Sequence, residues 1–280
     1  VIHCMLLDNG SFEKQFILLP GTIPSDNPKI VVDRIYQEWK ETKPEGVTLA
    51  DYQQSILSIL SEINLHQSLK TDVQRMEKLN TPQNNEYFDF LKRSEGRDVV
   101  DIETLDFCTK VVESLKQNSE ICALLGLVEE PGIQVFNEMP LECDVEDMPM
   151  IGIKGILDNI KIDHEKKTIW INDVKTISKS VSDFEESVEF WNLWLQAAIY
   201  DTMVRKTFLT VDGVNPAEWE VIFTFVVVDK YLQVYPFEVS KATMVKWKAQ
   251  FAEKLKEGEW HFNNRCYTLP YRFLVERVIL

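Results

Sequence analysis

The sequence predicts an α/β (α+β) chain, and three observations lead there. Two pairs of strand-like runs rich in β-branched residues lie in the C-terminal half, over residues 152–177 and 219–239. Stretches of helical periodicity separate and follow them, WNLWLQAAIYDTMV and SKATMVKWKAQFAEKLKEGEW. From Lys29 to about Leu79 the chain is amphipathic helix with few interruptions, which reads as a helical N-terminal elaboration on that core. At 280 residues and 32.6 kDa the chain can bury a substantial core. It is read as one domain over 1–280: a first helix and strand (1–28), the elaboration (29–130), and the core with its closing helix (131–280).

Taken in order, VIHCMLLDN opens in mid-pattern on Val1 instead of Met, which predicts further residues upstream. His3 falls on the tail of a helix that stops near Asn9-Gly10, and SFEKQFILL forms a second short segment. After a proline-rich loop (Pro20 to Pro28) come KIVVDRIYQEWKE and LADYQQSILSILSEINL, whose stripe Ile56, Leu57, Ile59, Leu60 and Ile63 is core packing. Residues 81–101 read as a connection with a short helix. Lys92, Arg93 and Arg97 within it form a basic cluster, read as a solvated face. Residues 101–126 predict one amphipathic helix, with Asp101 in its first turn and Gly126 as C-cap. IQVFNEMPLECDVEDMPMIGIKG reads as a strand, an acidic loop and another strand; Glu138 and Glu142 invite assignment as an extra site carboxylate, but the favoured reading is acid on an exposed strand and turn. EWEVIFTFVVVDK and YLQVYPFEV predict a hairpin turning around Asp229-Lys230, with VIFTFVVV buried on both faces. The last long helix carries a basic face (Lys241, Lys246, Lys248, Lys254, Lys256), read as chiefly solvated. The aromatic tail is expected to pack on the core or on a neighbouring subunit.

Composition excludes some classes. No apolar run approaches the roughly 20 residues of a membrane-spanning helix, and no signal peptide is read, so no membrane partner is expected. Five cysteines, odd in number and without a C-x-x-C pair, point to reduced thiols and a cytoplasmic setting. The net charge of −15 sits awkwardly with a phosphate-binding protein. Its distribution softens the objection: residues 1–150 carry 13 Lys+Arg against 27 Asp+Glu, residues 151–280 carry 17 against 18.

The chemistry gathers between Gly152 and Tyr200. A hairpin turn centred between Glu165 and Lys166 puts Asp158 directly across from Asp173. Opposed residues hold their Cβ atoms about 4.5–5.5 Å apart, where like charges repel, so two carboxylates there call for a cation. Lys175, two residues beyond Asp173, projects from the same face. In the helix that follows, Gln196 and Tyr200 are four apart and share a side.

These elements, Gly155-Ile-Leu-Asp158, Asp173-Val-Lys175 and Gln196-Ala-Ala-Ile-Tyr200, resemble in order the motifs of the PD-(D/E)XK nuclease superfamily in its RecB-like branch. His3-Cys-Met-Leu-Leu and Phe12-Glu-Lys-Gln-Phe16 are similar to the first motif of exonuclease VIII-like (RecE-type) phage and prophage nucleases. The resemblance implies a restriction-endonuclease-like core with a central mixed sheet flanked by helices. It implies Mg2+ or Mn2+ held by His3, Asp158, Asp173 and the backbone carbonyl of Val174. Lys175 would act on the attacking water and the scissile phosphate, Gln196 and Tyr200 would hold the site together or touch DNA, and Thr176 and Ser178 would offer phosphate contacts. The function implied is 5′-to-3′ resection of linear double-stranded DNA for recombination, in a bacterial or phage-infected cell. A single-strand annealing protein as partner and a homo-oligomeric ring belong to the same expectation. The alternatives are a single-strand or flap-specific nuclease of the same fold, or a non-catalytic phage-type interaction protein that retains it.

Overall fold

The computed structural model describes residues 1–8, 10–145 and 148–275. The helix stop expected at Asn9, the centre of the expected acidic loop at Glu146 and Asp147, and the last five residues of the tail lie outside these. The chain divides into two compact units, one of Val1 and Gly10–Cys108, the other of Ile2–Asn9 and Thr109–Leu280.

The first element, α1 (Ile2–Leu7), belongs to the second unit. The first unit comprises α2 (Phe12–Gln15), β1 (Phe16–Leu18), α3 (Asp26–Thr42), α4 (Gln53–Glu62), α5 (Asp72–Leu79), α6 (Pro82–Ser94) and β2 (Asp98–Val100). β1 and β2 pair in parallel. Ile56 and Leu60 of the expected stripe are buried with Val31, Ile35, Trp39 and Phe88, which makes the elaboration a core of its own. The basic cluster is engaged locally. Lys92 pairs with Asp89 at 2.7 Å and lies over the Phe88 ring, while Arg97 bonds the carbonyls of Glu13 and Arg93.

The single helix expected over 101–126 is two, α7 (Ile102–Gln117) and α8 (Ser119–Leu125). Asn118 breaks it. Its side chain accepts the N–H groups of Glu120 and Ile121, the bonding of an N-cap, which favours a non-helical backbone at that residue. Gly126 ends α8 at φ +62°, as expected of a C-cap.

β3 (Ile133–Val145), β4 (Met148–Asp163) and β5 (Thr168–Ile177) follow, then α9 (Phe184–Phe190), α10 (Leu193–Leu209), β6 (Glu220–Asp229), β7 (Val234–Val239), α11 (Lys241–Asn264) and α12 (Tyr271–Val275). The five strands form one mixed sheet in sequence order, parallel between β5 and β6 and antiparallel elsewhere, and helices flank it. The expected acidic loop is therefore largely strand. Leu141 to Asp144 pair with Gly155 to Gly152, and the acids alternate with Leu141, Cys143 and Val145 at the period of a half-buried strand. The β6–β7 turn is centred on Tyr231, slightly beyond Asp229-Lys230, because Asp229 Oδ1 accepts from the N–H groups of Tyr231 and Gln233 and holds a longer loop. β6 is buried on both faces, as expected. Phe223, Phe225 and Val227 pack with Ile171, Ala197 and Met203, whereas Val226 and Val228 pack with Val174, Val111 and Leu115.

Four lysines of the α11 basic face, Lys241, Lys248, Lys254 and Lys256, each pair with a carboxylate. The tail folds back on the end of the same helix, Tyr271 against Trp260 and Tyr267 against His261. None of the five cysteines, all of them among the described residues, forms a disulfide. Among the described residues, no helix is long and apolar enough to cross a membrane.

Candidate active site

The β4–β5 ladder runs from Asp163 opposite Thr168 to Asn159 opposite Asn172, which is the predicted register. Asp158 and Asp173 are the next residues out, and there the two strands part. Beyond that point β4 continues beside β3, and β5 beside β6. The site lies at this fork. Asp158 Oδ2 accepts the Val174 N–H at 2.8 Å, in place of the ladder bond the fork gives up.

A third carboxylate completes the row. β3 pairs Asn137 with Asn159 and Met139 with Leu157, so Glu138 lies across from Asp158 on its other side. Glu138, Asp158 and Asp173 thus occupy one line over three adjacent strands. Glu138 has φ +48°, a backbone state that costs a non-glycine residue roughly 1 kcal/mol or more and that clusters at functional positions. The alternation of side chains slips there too: Leu157 and Met139 join the same apolar cluster as Ile160 and Phe136, which strict alternation forbids.

His3, on α1, faces this row. Its Nδ1 is 3.5 Å from Asp158 Oδ1 and 3.6 Å from Glu138 Oε1, and its Nε2 is 3.1 Å from the Val174 carbonyl oxygen. Ligand atoms of His3, Glu138 and Asp158 all lie within 4.8 Å of one another. Lys175 Nζ is 2.6 Å from Asp173 Oδ2. The structure thus brings together His3, Asp158, Val174 O, Asp173 and Lys175, the predicted set, and adds Glu138. Glu138 is no exposed strand residue, whereas Glu142 is one and pairs across the ladder with Lys154.

Electrostatically the row is unsatisfied. Glu138 Oε1 and Asp173 Oδ1 are buried without a hydrogen-bond donor among the described residues. Asp173 is fully buried, and that burial pushes its carboxyl up to about 6; Lys175 opposes the rise and Asp158 adds to it. Burial, then the Asp158 charge, raises Glu138 as well, while His3 opposes. Adjacent carboxylates with orphaned oxygens form a costly cluster unless a cation joins them. Carboxylate and carbonyl oxygens with one imidazole are donors that suit Mg2+ or Mn2+. The residues present fit such an ion.

α10 braces the fork. Gln196 Nε2 donates to Tyr200 Oη at 3.0 Å, and Tyr200 Oη donates to the Ile156 carbonyl at 2.8 Å, on the β4 edge that β5 has left. Gly155 permits this approach, since a Cβ there would stand 3.0 Å from the Tyr200 ring and 3.1 Å from Met203 Cε. Gln196 therefore bonds Tyr200, and Tyr200 bonds strand backbone. Thr176 and Ser178 are exposed and line, with Lys175, a cleft of about 670 Å3. Phe190 and Trp191 also line it, exposed by 74% and 69% with their rings edge to face. Sequence reasoning missed that pair.

A family model of the PD-(D/E)XK nuclease superfamily matches residues 64–266. No curated protein matches the chain. Among solved structures it is similar to a "Putative exonuclease" from Eubacterium rectale, with 9% identity, 92% of this chain and 77% of that one covered, and a TM-score of 0.42. It is also similar to SSO0001, with 11% identity, 80% and 85% covered, and a TM-score of 0.28. The chain belongs to the PD-(D/E)XK nuclease superfamily.

Proposed function

We propose that the chain is a divalent-metal-dependent DNA exonuclease that resects linear double-stranded DNA from 5′ ends. The observation that carries the hydrolytic part is the row Glu138, Asp158 and Asp173, with His3 over it and Lys175 at its end. The exonucleolytic mode, the 5′ polarity, the hand-off to an annealing protein and ring assembly follow from the motif resemblance to RecE-type enzymes.

His3, Asp158, Asp173 and the Val174 carbonyl would hold Mg2+ or Mn2+, with Glu138 as a further oxygen donor. When bound, such an ion neutralises charge on the scissile phosphate and makes the attacking water more acidic. The chain supplies the rest. Lys175, held against Asp173, puts an ammonium at the cleft edge, where it orients that water and steadies the phosphate. Thr176 and Ser178, which line the same cleft, offer hydroxyl donors. Tyr200 and Gln196 keep the β4 edge in place.

Phe190 and Trp191 favour a second reading of substrate choice. Exposed aromatic faces beside the reactive lysine suit an unpaired base stacked at the end of a strand, as a single-strand or flap-specific nuclease of this fold would use. A non-catalytic interaction protein is disfavoured, since a scaffold gains nothing from three adjoining carboxylates and a strained Glu138.

Digestion of a linear duplex labelled at either the 5′ or the 3′ end, in Mg2+, Mn2+ or EDTA, tests the proposal. Expected are metal-dependent release of the 5′ label as mononucleotides and its loss in Lys175→Ala. Intact DNA with both metals removes the catalytic reading, and faster loss of unpaired strands moves the choice to the second one.

A further inference from the structure

One row inward from the acids, the same three strands carry three asparagines. Asn137 precedes Glu138, Asn159 follows Asp158 and Asn172 precedes Asp173. Asn137 lies opposite Asn159, and Asn159 opposite Asn172. Their amides form a chain of bonds. Asn172 Nδ2 donates to Asn159 Oδ1, and Asn159 Nδ2 donates to Asn137 Oδ1, each at 2.7 Å. The remaining donors reach helix ends. Asn172 Nδ2 donates to the Leu124 carbonyl at 3.0 Å and Asn159 Nδ2 to the Leu125 carbonyl at 2.9 Å, both in the last turn of α8. Asn137 Nδ2 donates to the Leu7 carbonyl at 3.0 Å, the last residue of α1, the helix that carries His3. Terminal helix carbonyls have no partner within their own helix, so each of these bonds fills an open position.

Such a ladder is a costly way to build a core. Asn159 and Asn172 are fully buried, and Asn172 Oδ1 has no donor among the described residues. Apolar residues would fill the row without that penalty. What apolar residues lack is direction: van der Waals packing tolerates sliding, whereas amide bonds of 2.7 Å hold neighbouring strands to one shear and α1 to one distance from β3. A buried asparagine that fixes register at a cost in stability is a known device.

We propose that Asn137, Asn159 and Asn172 are positioning residues for the metal centre. Resting on the nuclease reading of that site, the ladder sets the spacing of Glu138, Asp158 and Asp173 and, through Leu7, the placement of His3. Residues that orient metal ligands typically cost 10–100-fold in metal affinity or activity when removed.

Asn137 is the informative position, because it is exposed on the outer strand and its loss leaves the buried pair paired. In Asn137→Ala, Mn2+ affinity measured by titration calorimetry is expected to fall about tenfold or more. With DNA, kcat is expected to fall by a similar factor while KM stays within about twofold, and the melting temperature in EDTA is expected to stay near that of the parent. Asn172→Ala is the second variant: it is expected to lower both the EDTA melting temperature and Mn2+ affinity. Parent-like Mn2+ affinity and kcat in Asn137→Ala, with Asn172→Ala losing melting temperature alone, would make the ladder purely structural and overturn the proposal. Failure of the nuclease reading looks different, since the parent itself would then neither bind Mn2+ nor cleave.

Discussion

Gly155 stands on β4 against Tyr200 and Met203 of α10, three positions before Asp158. Adding a methyl group leaves it 3.0 Å from the Tyr200 ring and 3.1 Å from Met203 Cε, so α10 or the ring must move. Gly155→Ala is expected to destabilise the chain by about 1–3 kcal/mol, the usual cost of overpacking, as measured by urea unfolding. The displaced Tyr200 would release the Ile156 carbonyl, so metal-dependent cleavage should fall further than stability explains. At this scale the sequence was informative. Asp158, Asp173 and Lys175 could be placed because strand pairing is arithmetic once the turn is located, and the ladder has the predicted register. Glu138 is obscured by its context, since the acids that follow it read as an exposed strand and turn. Phe190 and Trp191 left no periodic signal, since Phe190 ends α9 and Trp191 lies in the break before α10, beside Asn192, whose φ is +53°.

Among the elements, the β4–β5 turn decides the register on which the row depends. Asp163 Oδ1 accepts the N–H groups of Lys166 and Glu165, and these bonds, Lys166 first, hold its carboxyl below the usual range. A carboxyl lowered on folding contributes stability above its unfolded pKa of about 3.9, and that contribution is lost as pH falls through the lower folded value. Asp163→Ala should therefore melt lower than the parent at pH 7, and the gap should shrink as pH falls below the unfolded carboxylate value of about 3.9. A gap constant down to pH 2 would show that the turn bonds do not depend on the charge. The α9–α10 junction carries a different expectation. Its two aromatic rings are exposed, so Phe190→Ala with Trp191→Ala should leave the melting temperature almost unchanged. If the rings stack on a terminal base, KM for DNA should rise by roughly tenfold or more, since stacking contributes about 1–3 kcal/mol per base. Helices and strands of the core were legible from periodicity, but their breaks were not. Asn118 splits one expected helix because a side-chain cap can outweigh a continuous apolar stripe.

At the scale of the whole molecule the charge looks different once the compact units are known. The unit that holds the site carries 19 Lys+Arg against 28 Asp+Glu, a balance of −9, and the other carries 11 against 17, a balance of −6. The acidic surplus is therefore not segregated from the site, as a division at residue 150 suggests. DNA binding by such a surface must lean on local cations, Lys175 and Lys179 in the cleft, and on a bound divalent ion. The slope of affinity against salt is accordingly expected to be shallow, a few phosphate contacts at most. The mixed sheet was legible because its strands announce themselves in sequence; the two compact units were not, since the division falls inside the unbroken helix α7.

The central claim is that the row on β3, β4 and β5 with His3 is one divalent-metal site. Mn2+ titration followed by electron paramagnetic resonance tests it most directly, with the parent chain beside Asp158→Asn. Saturable binding by the parent, weakened at least tenfold in the variant and competed by Mg2+, is the predicted result. Equal binding by both proteins, or none by the parent, would contradict it.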